Sequence, residues 1–148
     1  MTYDLKLERL FDATPAEVFD AFTDPRAQEE WYLDAPDFVV NTTVDLRVGG
    51  TWDVSFGPAG QAPYREINVF IDVDRPNRVA YKSTFVMPDG SAHDTEMVVT
   101  FEARDGKTLM TIVQTGFELE EMRDGHQGGW PNFIDRLEKV VAHRRAAA

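Results

Sequence analysis

The chain has 148 residues, of which 43% are hydrophobic and 28% charged, and its formal net charge is −11. These values are typical of a globular protein with a sizeable core, so we expect residues 1–148 to form a single domain. The acidic balance disfavours nucleic acid as a partner, the lack of cysteine excludes disulfides and thiol chemistry, and no apolar run reaches the about 20 residues that cross a bilayer.

A cytoplasmic location is expected from the same sequence features. Residues 1–6 lack the basic-then-apolar layout of a signal peptide. The absence of cysteine agrees with a reducing compartment. We therefore expect neither a membrane nor a nucleic acid as a partner.

The chain starts with an alternating strand that is followed by two short helices. Apolar and charged residues alternate over residues 3–9, which is typical of a strand with one buried face. Thr14-Pro-Ala-Glu17 carries a capping box with proline at the first helical position, so a helix begins there. Asp24-Pro25 repeats this start signal, and a second short helix is predicted from Pro25 to about Glu30.

Six further strands are predicted after the helices, each bounded by turn residues such as glycine, proline and aspartate. Because consecutive short turns require antiparallel pairing, these strands should form a meander. The inward faces predicted by alternation are Trp52, Val54 and Phe56; Ile67, Val69, Ile71 and Val73; Val79, Tyr81, Ser83, Phe85 and Met87; Thr95, Met97, Val99, Phe101 and Ala103; and Met110, Ile112 and Gln114. The same alternation leaves Glu66 on the solvated face, unless a bulge turns it inward.

The last stretch of the chain has the spacing of one helical face, with a start expected near Glu118 to Glu120. Its apolar residues are Trp130, Phe133, Ile134, Leu137, Val140 and Val141. Since Gly125, the pair Gly128-Gly129 and Pro131 weaken this helix midway, we expect a bend or a loosened turn just before Trp130. One long amphipathic helix facing one antiparallel sheet predicts an α+β fold with a pocket between them.

Several motifs keep a characteristic order along most of the chain. They are Pro15-Ala-Glu-Val-Phe-Asp-Ala-Phe-Thr-Asp-Pro25, Trp31, Arg47-Val-Gly-Gly-Thr-Trp52, Asp74-Arg-Pro-Asn-Arg-Val79, Thr115-Gly-Phe117 and Gly129-Trp130. With these motifs the chain resembles the START-like (SRPBCC, Bet v 1-like) superfamily, and most of all its bacterial proteins named for homology to the activator of Hsp90 ATPase. The resemblance implies a helix-grip fold: a curved antiparallel sheet of six to seven strands around a long C-terminal helix, with two short helices after the first strand and a cavity between sheet and helix.

Nine residues on predicted inward faces, or at their ends, are the candidate lining of this cavity. They are Trp31, Trp52, Phe56, Tyr81, Phe85, Met97, Gln114, Trp130 and Phe133. Aromatic walls with a few polar groups suit a small molecule, although plain core packing is the favoured interpretation for any one aromatic alone. Gln114 or Tyr81 would orient the ligand. Many relatives in the resembled family carry histidine where this chain has Gln114, and an amide does not titrate.

No catalytic residue, metal site or cofactor is predicted. The three histidines His93, His126 and His143 show no metal-ligand spacing. Serine, histidine and aspartate occur, but without a nucleophile elbow or another local signature. The glycine pairs match no phosphate-binding pattern.

Three functions remain open at this point, in a chain expected to be a monomer or a homodimer. The first is binding of a small hydrophobic or amphipathic molecule. The second is an enzyme of the cyclase or aromatase type, which would need a titratable group in the cavity, either Tyr81 or a carboxylate. The third is a co-chaperone-like protein that binds a protein partner through an outer surface, such as the acidic patch of Glu118, Glu120, Glu121 and Asp124.

Overall fold

Seven strands and three helices make up the computed structural model, which describes residues 1–148. In chain order they are β1 (Tyr3–Phe11), α1 (Pro15–Thr23), α2 (Pro25–Trp31), β2 (Phe38–Val44), β3 (Thr51–Pro58), β4 (Tyr64–Asp74), β5 (Arg78–Val86), β6 (Ala92–Arg104), β7 (Lys107–Phe117) and α3 (Glu120–Ala147). This order confirms the predicted α+β fold. None of the helices is both long and apolar enough to cross a membrane.

All seven strands belong to one antiparallel sheet in the order β1-β7-β6-β5-β4-β3-β2. Strands β2 to β7 pair with their chain neighbours as the predicted meander, and β1 pairs with β7 so that Leu7 lies opposite Ile112. Helix α3 contacts β1 and β7 as well as α1 and α2. The curved sheet around a long C-terminal helix is the expected helix-grip arrangement.

Capping residues define the two short helices. The Thr14 hydroxyl accepts a hydrogen bond from the Glu17 backbone N–H at 3.2 Å, and the Glu17 carboxylate accepts one from the Thr14 N–H at 2.9 Å. Asp24 ends α1 and also caps α2, because its carboxylate accepts a hydrogen bond from the Arg26 N–H at 3.0 Å. Because Asp24 is both the C-cap of α1 and the N-cap of α2, no loop separates the two helices. Tyr32, directly after α2, packs against the inner face of the sheet.

Helix α3 is continuous from Glu120 to Ala147, so the loosened turn expected before Trp130 is not present. Pro131 removes one backbone donor inside the helix. Packing compensates for this loss, because Trp130, Ile134 and Leu137 are buried on the face that meets the sheet. Tertiary burial of an amphipathic face outweighs local propensity in most protein helices.

The buried face of β4 is the opposite of the predicted one over most of its length. Asn68 and Phe70 are buried, whereas Val69 and Ile71 are 40% and 44% exposed. A register shift directly after Phe70 marks a β-bulge, and beyond it the alternation changes phase. Because a strand has a period of two, this phase puts Glu66 on the inner face with Asn68 and Phe70. The solvated position expected for Glu66 is therefore wrong.

Candidate functional site

A pocket of about 720 Å³ lies between the inner face of the sheet and the first half of α3. Its walls come from Tyr32 directly after α2, from strands β2 to β7 and from α3 between Glu121 and Phe133. Twelve of its 21 lining residues are hydrophobic. We call this space the sheet–helix pocket.

Seven of the nine residues predicted from the sequence line the sheet–helix pocket. They are Phe56, Tyr81, Phe85, Met97, Gln114, Trp130 and Phe133. The other two, Trp31 and Trp52, lie outside it and are each 1% exposed. Trp31 donates its indole N–H to the Ala21 carbonyl at 3.1 Å and stacks on Phe22 with ring centroids 5.4 Å apart. These two indoles fill the space between the short helices and the sheet, so their role is core packing.

Glu66 and Tyr32 form the polar group of the pocket wall. The Tyr32 hydroxyl donates a hydrogen bond to the Glu66 Oε2 at 2.8 Å, and both residues line the pocket. Burial raises the pKa of the Glu66 carboxyl to about 7, although the hydrogen bond from Tyr32 acts in the opposite direction. Burial also raises the pKa of Tyr81 well above its ordinary value, and the nearby Glu66 charge adds to this. Glu66 is therefore the titratable group that sequence reasoning missed.

Gln114 connects both sides of the pocket. Its Oε1 accepts a hydrogen bond from the Trp130 indole N–H at 3.1 Å, and its Nε2 donates one to the Thr95 hydroxyl at 2.9 Å. The residue is 4% exposed. Since its oxygen and its nitrogen are both engaged with protein, Gln114 holds α3 against β6 and β7 and has less capacity left for a ligand than Tyr81.

A pair of histidines closes the end of the pocket near the β5–β6 hairpin. The Nε2 atoms of His93 and His126 lie 3.2 Å apart, although 33 positions separate them in the sequence. Burial lowers the pKa of His126 to about 4, with the His93 charge contributing, and burial also lowers the pKa of His93. At neutral pH the two rings are uncharged and can share one N–H···N hydrogen bond. Sequence spacing could not reveal this pair, because it joins a strand to a distant helix.

The structure holds no group of three or more histidine, cysteine, aspartate or glutamate side chains arranged to bind a metal ion.

The family model for "Activator of Hsp90 ATPase homolog 1-like protein" matches residues 12–142. The chain belongs to this family. Membership supports a ligand-binding or activator-like domain. A comparison with curated proteins gave no match.

Solved structures of bacterial proteins share this fold along nearly their whole length. Protein CV1439 from Chromobacterium violaceum is 25% identical, with a TM-score of 0.78 over 94% of this chain and 97% of that chain. The AHSA1-like protein from Aeromonas hydrophila is 24% identical, with a TM-score of 0.76 over 96% of this chain and 94% of that chain. Mll3558 from Rhizobium loti is 19% identical, with a TM-score of 0.80 over 95% and 97%. At these identities the likeness concerns the fold.

Proposed function

We propose that this family member binds a small hydrophobic or amphipathic molecule in the sheet–helix pocket. The observation that carries the proposal is a space of about 720 Å³ with a mainly apolar lining and a few polar groups at fixed positions. Small-molecule sites in proteins have roughly 300–1,000 Å³ and the same kind of lining. A filled core would leave no space of this size between sheet and helix.

The pocket lining combines apolar rings with a few polar groups. The ring centroid of Phe56 lies 6.4 Å from that of Phe85 and 6.0 Å from that of Phe133. Glu66 and Tyr81 stand on the same inner face of the sheet and are two of the polar groups. A ligand with an apolar part and one polar group would therefore bury its apolar surface, at about 25 cal/mol per Å², and be oriented by these polar groups.

Two neighbouring glycines of α3 provide a direct test. Gly129 lines the pocket and Gly128 does not, and a side chain built at either position meets no atom within 4 Å. Gly129→Leu should therefore fill the pocket without removing any contact, and Gly128→Leu is its matched control on the exposed side. Both substitutions should also increase helix stability by about 1 kcal/mol or less.

Fluorescence titration with the neutral dye Nile red measures the result. We expect wild type and Gly128→Leu to bind the dye with equal affinity and Gly129→Leu to bind it at least about tenfold more weakly, which corresponds to about 1.4 kcal/mol. Equal binding by all three proteins would place the dye elsewhere and would contradict the proposal.

A second candidate function is proton-transfer catalysis on a molecule held in the pocket. The observation that favours it is the Glu66 carboxyl, whose pKa of about 7 suits a general acid or base. A molecule that co-purifies with the protein can be incubated with fresh wild type and with Glu66→Gln, and its structure followed by NMR, because an isomerisation leaves its mass unchanged. Conversion by wild type alone would support catalysis, whereas an unchanged spectrum with both proteins would favour binding.

A further inference from the structure

The carboxyl groups in the lining of the sheet–helix pocket are not matched there by any lysine or arginine. Asp34, Glu66 and Glu121 line the pocket, and none of the 21 lining residues is a lysine or an arginine. The Arg136 side chain lies nearby but outside the lining, where it forms a 3.1 Å ion pair with Asp34 and donates to the Trp31 carbonyl at 2.9 Å. Two of the three guanidinium nitrogens of Arg136 are thus engaged and its Nη2 is buried without a partner, whereas Glu66 forms no ion pair with any basic residue.

Glu66 also keeps one carboxyl oxygen available. Its Oε2 accepts the hydrogen bond from Tyr32, and no donor of the protein is bonded to its Oε1. Glu66 is paired across the sheet with Phe85 on β5, and the nearby rings of Phe56 and Tyr64 stack with centroids 5.6 Å apart. A carboxylate surrounded by apolar rings is costly unless a cation or further donors meet it.

We infer that the pocket selects hydrophobic amines, with the protonated nitrogen of the ligand bound to Glu66 and its apolar part lying toward Met97 and Trp130. This inference rests on the proposed ligand-binding function. An ammonium group donates charge-assisted hydrogen bonds to the free carboxyl oxygen and is attracted to the faces of the surrounding aromatic rings. The net charge of −11 also attracts cations to the protein.

Other ligand charges gain less from this pocket. An anionic ligand would find no lysine or arginine in the lining, where the two histidines are uncharged at pH 8, and would be repelled by Glu66. A neutral alcohol would bury the same apolar surface and would lack the ionic part of the contact. The structure therefore predicts a ranking of amine, alcohol and carboxylate that share one apolar skeleton.

Three probes with the same skeleton test the ranking: 4-phenylbutylamine, 4-phenylbutan-1-ol and 4-phenylbutyrate. Calorimetric titration at pH 8 should show the amine binding at least about tenfold more tightly than the alcohol, a factor typical of one charge-assisted contact, and the carboxylate most weakly. In Glu66→Gln we expect the amine and the alcohol to bind within about twofold of each other. Glu66→Gln should still bind the alcohol and Nile red, which shows that the pocket stays folded in this variant.

Glu120→Gln is the matched control, because it removes the same charge from an exposed residue of α3 that does not line the pocket. It should keep the amine preference of wild type. Loss of the preference in both variants would assign it to the overall charge and overturn the inference. Equal binding of amine and alcohol by wild type, or no amine binding to a protein that binds Nile red, would overturn the inference alone. Absence of binding by every probe and by Nile red would overturn the proposed function as well.

Discussion

The hydroxyl of Tyr32 donates a 2.8 Å hydrogen bond to Glu66, 34 positions further along the chain. Tyr32 stands directly after α2, whose start is fixed by Asp24, and Glu66 stands on the inner face of β4. The fold thus brings a carboxyl group to the inside of a pocket where the sequence alone indicated apolar walls. Its energetic cost there is measurable.

Glu66→Gln should stabilise the protein in alkaline solution. Burial raises the pKa of Glu66 from 4.5 to about 7, so the folded protein holds a proton that the unfolded chain releases above pH 4.5. Stability is therefore lost as the pH rises from 4.5 to 7, and glutamine avoids this loss while it still accepts the hydrogen bond from Tyr32. We expect a gain of about 3 kcal/mol at pH 8 and about 1 kcal/mol at pH 5.5 in urea denaturation. An equal difference at both pH values would show that ionisation of Glu66 is not its cause.

The pair of His93 and His126 should make the protein less stable in mild acid. Burial and the His93 charge lower the pKa of His126 to about 4, so protons bind the unfolded chain first as the pH falls below 6.5. Burial also lowers the pKa of His93, and the negative charges of Asp94 and Glu118 offset part of this lowering. Between pH 7 and pH 5 the contribution of His126 should therefore fall by about 1–2 kcal/mol.

Urea denaturation of His126→Gln measures this contribution, because glutamine does not titrate. The variant should lose about 1–2 kcal/mol less stability than wild type between pH 7 and pH 5. His143→Gln is the control, since His143 is exposed near the end of α3. If His126→Gln lost as much stability as the control variant, the assigned pKa shift would be incorrect.

The bridge from Trp130 to Gln114 should appear as an energetic coupling. Trp130→Phe keeps an aromatic ring but removes the donor of the 3.1 Å bond, so the Gln114 Oε1 is left buried without a partner. We expect a loss of about 1–3 kcal/mol in thermal or urea denaturation. In a Gln114→Leu background the same substitution should cost at least about 0.5 kcal/mol less, and additive losses would argue against the bridge.

Much of the fold could be predicted because local signals agree with tertiary structure. The capping box at Thr14 and the shared cap at Asp24 place both short helices, and clean alternation over β3, β5, β6 and β7 identifies the faces that line the core. In β4 both faces carry large apolar residues, so alternation alone could not tell which one is buried. Its bulge after Phe70 follows from pairing with β5, which is a tertiary property.

The candidate site was less predictable than the fold because its polar groups depend on contacts between distant segments. Glu66 was predicted to face solvent because the wrong face of β4 was predicted to be buried. His93 and His126 come into contact only when α3 packs against the sheet. Trp31 and Trp52 are aromatic residues of the kind that line pockets, but they pack between the short helices and the sheet. The sequence pattern Tyr64, Glu66, Asn68, Phe70, with aromatic residues at both ends of one face, was the available signal for the correct choice.

Native mass spectrometry of the purified protein, compared with its denatured mass, tests the central claim most directly. We expect one small molecule per chain to be retained noncovalently, either from expression or after incubation with a hydrophobic amine. Gly128→Leu should retain it and Gly129→Leu should not, because leucine at position 129 occupies the pocket. Identical native and denatured masses for wild type after incubation with the amine and with Nile red would contradict the proposed ligand-binding function.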